Sequence, residues 1–318
     1  MPKMSTDYPE HHLGGPTMGT RWTATIVDQP GLDLSTAGDA LGAAVDLVDR
    51  QMSTWKPDSD LMRLNHAAPE VWVSLPAELM QVLTAALEIG RLSDGAFDIG
   101  LGEIVNAWGF GAAGPADIDA IKRALAATHR PTHETLELDP AQGRARKNTV
   151  AKIDLSGIAK GFAVDMMRRA IEQLGIKNAL LGLDGELYAK GHKADGTPWP
   201  IAIEKPDYEA RLPLSVIAFQ DAAIATSGDY RHWVNVGDVR LAHTMDRRRG
   251  GPVQNPVASV TVLAASCMVA DAWATALLVL GPEDGPELAR RQGLDALFIL
   301  RDRDNLRQIP VGIAFDAA

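Results

Sequence analysis

The sequence predicts an α+β protein: a largely antiparallel, strand-rich body with packed helices and a helical insertion. Three observations carry this. Short β-branched or alternating runs follow one another after Thr135 with few helices between them, which favours antiparallel pairing over a doubly wound parallel sheet. Helical spacing is confined to a few long segments. The Gly-Pro-rich stretch 109–115 marks a seam between the strand-rich body and a helical subdomain over about residues 75–130. Residues 1–16 read as a tail and 17–318 as one domain.

Taken in order, a strand is expected at Arg21–Val27. A helix follows over about Ser35–Met52, with Leu41, Ala44, Val45 and Val48 on one face. A second helix starts at Pro76, a good first-turn residue, and runs to Leu92; a short third covers Asp117–Thr128. Strands are then expected at Thr135–Leu138, Val150–Ile153, Ala179–Leu183, Trp199–Glu204, Leu214–Phe219 and Ala222–Ala225, interrupted by a helix over Ile158–Leu174. The run Val257–Leu280 carries one charge, Asp271, and is long enough to cross a bilayer. Its first part alternates and is β-branched, and its second suits a helix ended by Gly281-Pro282, so a strand and a buried helix are expected instead. A helix at Pro286–Arg291 and a strand at Ala296–Leu300 close the chain.

With 318 residues, 46% hydrophobic and 23% charged, the chain has ordinary globular composition, which excludes extensive disorder. Lys plus Arg is 31 and Asp plus Glu is 41, a net charge of −10, so there is no general electrostatic footprint for nucleic acid. The single cysteine, Cys267, rules out an intramolecular disulfide and a cysteine-based zinc cluster, and its apolar neighbours suit buried sulfur. The first residues lack a basic start followed by an apolar core, and no lipid-accepting Cys is near. On the sequence as given this points to the cytoplasm. Removal of an export signal would instead point to the periplasm or a membrane anchor.

Four constellations can carry chemistry. Ile153-Asp154-Leu155-Ser156-Gly157-Ile158-Ala159-Lys160-Gly161 runs through a small-residue turn into a helix, aiming N–H groups and Lys160 at an anion, or forming a tight turn with an exposed Lys. Asp271 and Thr275 stand one helical turn apart in an apolar helix. Carboxylate plus hydroxyl is the oxygen chemistry Mg²⁺ prefers, and local hydrogen bonding within the helix is the alternative. Thr226-Ser227-Gly228-Asp229-Tyr230, followed by His243-Thr244-Met245-Asp246, offers hydroxyls and a proton acceptor, or simply a turn between strands. A Ser/His/Asp triad fits the residue order, but Ser227 lacks the Gly-x-Ser-x-Gly setting. Gly95-Ala96-Phe97-Asp98 and Trp108-Gly109-Phe110-Gly111 suit a planar ring or core packing equally.

Together with Met18-Gly19-Thr20, Met52-Ser53-Thr54-Trp55, Leu64-Asn65 and Asp165, these motifs in this order resemble the FAD:protein FMN transferases, the ApbE family. The resemblance spans about Thr17 to Gly281. It implies an enzyme that uses Mg²⁺ and FAD as substrate, moves FMN to a Thr or Ser of a target flavoprotein, and releases AMP. By position, Met18, Trp55, Ala96, Phe97, Asp98, Lys160 and Met245 would contact FAD. The Gly157 carbonyl, Asp271 and Thr275 would hold the metal, and His243 or Asp246 would act as base. Hydrolysis of FAD to FMN and AMP, or non-catalytic FAD binding in assembly, are the competing activities. The chain departs from the family pattern at four points. Trp55 stands where Tyr is commoner, and Asp246-Arg247-Arg248-Arg249-Gly250 where Asp-Pro-Arg-Thr-Gly is usual. Gly182-Leu183-Asp184-Gly185-Glu186 lacks paired glycines before the acidic residue, and the export signal typical of members is not visible.

Overall fold

Alternation of side chains across a strand lets successive residues enter two different cores, and the central sheet uses this throughout. The computed structural model describes residues 9–231, 233–236, 239–303 and 305–315. Eight strands form one antiparallel sheet: β1 (Glu10–Thr17), β2 (Thr20–Val27), β3 (Ala179–Leu183), β4 (Glu186–Lys190), β5 (Ala222–Gly228), β6 (Val257–Ala264), β7 (Asp295–Asp302) and β8 (Asn305–Val311). Their order across the sheet is their order along the chain. Everything else is inserted between neighbouring strands, the longest insertion lying between the paired strands β2 and β3.

On one face pack the long helices α1 (Leu34–Met52), α3 (Ala159–Gln173) and α4 (Cys267–Arg291), with α2 (Ala77–Leu92) packed against α1 and α4. The other is covered by the hairpin Trp199–Glu204/Pro213–Phe219. In β5, Ala223 and Ala225 face the helices while Ile224 faces the hairpin; in β7, Ala296 and Phe298 alternate with Leu297 and Ile299 in the same way. A strand covered on both faces is buried at successive positions, and β6, the first part of the run Val257–Leu280, is buried from Val257 through Val262, Ser259 and Thr261 included. The rest of that run is α4, broken at Gly281 (φ 82°), where the sequence places a stop. Among the described residues no helix is long and apolar enough to cross a membrane.

Several elements differ from expectation. Residues 10–16, read as tail, belong to edge strand β1, joined to β2 by the positive-φ pair Met18 (45°) and Gly19 (73°), as a two-residue hairpin turn requires. Residues 1–8 lie outside the described residues. The expected strand at Val150–Ile153 is absent, and Arg144–Lys147 pairs instead. The Ile153 amide donates to Asn65 Oδ1 (2.7 Å) and its carbonyl accepts from Asn65 Nδ2 (2.9 Å), so a side chain takes the bonds a ladder would use. Within the proposed helical subdomain, α2 joins the main core. Only the short helices Gly102–Ala107 and Ile118–Ala126 pack separately, against Trp108, Leu241 and Met245.

Candidate active site

Helices α3 and α4 cap one another. Asp165 of α3, buried, accepts the Cys267 (2.9 Å) and Met268 (3.0 Å) amides at the start of α4 and the Ser266 hydroxyl (2.6 Å). In return, Asp271 Oδ2 of α4 accepts the Gly161 amide of α3 at 3.0 Å. Free N–H groups of a helix's first turn need such acceptors. The approach is close enough that a Cβ at Gly161 would stand 2.4 Å from the Cys267 carbonyl oxygen, so only glycine fits there. The fully buried Asp271 is thereby fixed beside the positive end of α3.

That junction is the floor of a cleft of about 870 Å³. Gly157, Lys160, Asp271, Thr275, Ser227 and Glu186 line it from below. One wall is the Ala96-Phe97-Asp98 turn, with His243, Thr244 and Met245 beside it; Ile201, Ile203 and Glu204 of the hairpin line it too. Trp199–Glu204 is therefore a wall of the site as well as ordinary sheet.

The floor is charged. Lys160 Nζ lies 2.9 Å from Glu186 Oε1 and 3.2 Å from Asp184 Oδ2. Burial alone would lower the Lys160 pKa, but Glu186, Asp271 and Asp184 outweigh it and hold the ammonium above its usual value. Burial pushes Glu186 up to about 8 and Asp271 up to about 6, each partly opposed by Lys160. Glu186 Oε2 is buried with no hydrogen-bond partner. Thr275 Oγ1 shares a hydrogen bond with Ser227 Oγ (2.9 Å), and it stands 3.2 Å from where a Cβ on Gly157 would be. Gly157, Asp271 and Thr275, read from the sequence as one donor set, all line the same floor.

Ala96, Phe97, Asp98, Lys160, His243 and Met245 also line the cleft. The Asp98 carboxylate is already occupied: it accepts the Gly100 amide (2.8 Å), the Thr132 amide (3.0 Å) and the Thr132 hydroxyl. Three expected residues stand outside. Met18 forms the β1–β2 turn and packs against the core, and Trp55 is 69% exposed. Asp246 lines an adjoining pocket of about 300 Å³ and accepts the Arg248 amide (2.8 Å). Cys267 is buried, as its setting suggested.

Sequence reading missed Glu186 as a site residue. The signal was present: Asp184-Gly185 is a two-residue turn (φ 53° and 109°) between strands paired at Leu183 and Glu186, which lifts Glu186 into the floor.

The ApbE family model matches residues 18–298. The chain belongs to the ApbE family. The FAD:protein FMN transferase of Vibrio cholerae is 37% identical over 93% of this chain and 89% of its own length. That of Escherichia coli K12 is 35% identical over 93% of this chain and 85% of its own. The solved flavin transferase ApbE from Vibrio cholerae superposes with a TM-score of 0.85 at 34% identity, covering 96% of this chain and 97% of that one. The apo flavinyl transferase ApbE of Pseudomonas stutzeri gives 0.85 at 33% identity, covering 97% and 96%. The ApbE fold, with its large antiparallel sheet, is thus the fold of this chain.

Proposed function

We propose that this protein transfers the FMN half of FAD to a Thr or Ser hydroxyl of a target flavoprotein, releasing AMP, with Mg²⁺ at the cleft floor. The observation that carries this is ApbE membership over nearly the whole chain, joined to a floor where Lys160 and the start of α3 face hydroxyl and carboxylate oxygens.

In this reading the acceptor oxygen attacks the phosphorus of the FMN half, the bond to the bridging oxygen breaks, and AMP leaves with that oxygen. The hydroxyl proton passes to His243, which lines the cleft, whereas Asp246 sits in the adjoining pocket. Lys160, at the positive end of α3, holds the diphosphate and stabilises charge on the leaving group. Phe97 and Met245 give the flavin apolar surface.

The residues fit a divalent cation. Asp184, Glu186 and Asp271 surround a single lysine, so even with Glu186 protonated a diphosphate would enter an already negative floor. Among the described residues no three His, Cys, Asp or Glu side chains form a metal cage. The donors are instead mixed oxygens: the Asp271 carboxylate, the Thr275 hydroxyl and the Gly157 carbonyl, a set that leaves room for phosphate oxygens, as Mg²⁺ favours. Bound there, Mg²⁺ would neutralise charge on the diphosphate. Met18 and Trp55, outside the cleft lining, would contact FAD where it extends beyond the cleft.

The test is incubation of the purified protein with FAD, Mg²⁺ and a Thr-containing acceptor domain, with EDTA as control. Acceptor-dependent AMP release is the expected result. AMP and FMN formed equally without acceptor would make the protein an FAD pyrophosphatase, and tight FAD binding without turnover would make it a carrier.

A further inference from the structure

We propose that Arg247 is a positioning residue of the transfer site: its largely buried guanidinium ties the loop bearing His243 to the turn bearing Asp98. The inference rests on the transferase reading for its kinetic part and on the fold alone for its structural part.

The loop 243–250 and the turn 94–98 are remote in sequence, and both line the cleft. Arg247 joins them. Its side chain is 14% exposed and its partner Asp98 2%, with Nε facing Asp98 Oδ2 at 3.5 Å, an ion pair rather than a hydrogen bond. Nη1 donates to the His129 carbonyl. The guanidinium also lies on Gly95, where a Cβ would stand 2.9 Å from both Nε and Nη2, and whose φ of 72° favours glycine in any case.

A neighbouring clasp, Arg248 to Asp94 at 2.7 Å, is 52% and 92% exposed and contributes little at such exposure. Breaking the Arg247–Asp98 pair is the costly event, because it leaves the Asp98 carboxylate, still hydrogen-bonded to Gly100 and Thr132, buried without its counter-charge. The Asp98 oxygens already anchor Thr132 and Gly100, so displacing Arg247 disturbs the Ala96–Asp98 wall as well as the His243–Met245 wall.

The test compares the unaltered protein with Arg247→Ala, Arg247→Lys, Asp98→Asn and the double variant Arg247→Ala/Asp98→Asn. Amide hydrogen exchange is read by mass spectrometry, and kcat and KM for FAD are read in the transfer assay. The expected result for Arg247→Ala is faster exchange in 94–98 and 243–250 together, with α3 and α4 still protected. With it, kcat drops about 10- to 100-fold, the size of a modest misplacement of reacting groups, while KM changes less. Arg247→Lys recovers part of the loss, and the double variant is no worse than the poorer single one. Unchanged exchange in 94–98, or a lowered Tm with unaltered kcat in the folded enzyme, would overturn the proposal. Should the unaltered protein fail to transfer FMN, the function proposed above falls, while the exchange pattern still decides whether Arg247 is the clamp.

Discussion

The cleft floor is held by backbone amides of α3 and α4 donating to Asp271 and Asp165, whereas the facing wall of residues 94–98 and 243–250 is held by arginine side chains. The floor needs residues of fixed type: glycine at 161 because a carbonyl stands too close, and an acid at 271 because the α3 start must be capped inside the core. The wall is held instead by the side chains of Arg247 and Arg248, which reach between segments remote in sequence. The floor is therefore fixed by close backbone packing, and the wall by side-chain contacts.

The largest effect should come from the floor. Asp271→Ala or Thr275→Ala is expected to lower transfer by on the order of 100-fold or more, as loss of one charge-stabilising group does. The stabilisation that Mg²⁺ and FAD together give the protein on thermal melting should vanish with it. Full activity in both variants would remove these residues from the metal site.

Next in size, Gly161→Ala presses a methyl against the Cys267 carbonyl and should destabilise the fold by about 1–3 kcal/mol, visible as a lowered Tm. An unaltered Tm would mean that α3 and α4 can separate at no cost, and that the floor is no more rigid than the wall.

A subtler reading uses pH. Burial raises Glu186 from 4.5 to about 8 in the folded chain, so between those values the folded protein keeps a proton that the unfolded chain has released. That contribution to stability is complete below about 4.5 and is lost as pH rises through 8. The Tm of the ligand-free protein should fall across this window, and Glu186→Gln should flatten that part of the curve. Asp271, raised to about 6, contributes to the slope only in the lower part of this window, so a slope between about pH 6 and 8 that survives the substitution would place the titration elsewhere.

The smallest stability effect is expected at Trp55, whose exposed ring lies outside the cleft. Trp55→Ala should leave stability within about 0.5 kcal/mol while weakening FAD binding several-fold. Equal FAD affinity would exclude Trp55 from the site.

The same contrast explains what could be read from the sequence. The long helices and the β6–α4 run were legible because periodicity reports burial directly, and so was the need of Asp271 for a buried partner, which the fold supplies as the Gly161 amide. Strand β1 was not legible: an edge strand of His, Gly and Pro pairs through its backbone and shows no alternating apolar signal. Nor was the loss of the Val150–Ile153 strand, since it depends on Asn65 reaching across from a remote helix. Glu186 needed the hairpin turn to be recognised first. Arg247 stood out as a departure in composition, but its partners, Asp98, His129 and Gly95, are brought together only by the fold.

The most direct test of the central claim is the intact mass of a Thr-containing acceptor domain after incubation with this protein, FAD and Mg²⁺, beside the same reaction with Asp271→Asn. The account predicts a single added FMN unit, joined as a phosphodiester, with the unaltered protein and almost none with the variant. An unmodified acceptor despite FAD bound in the cleft, or equal labelling by the variant, would contradict it.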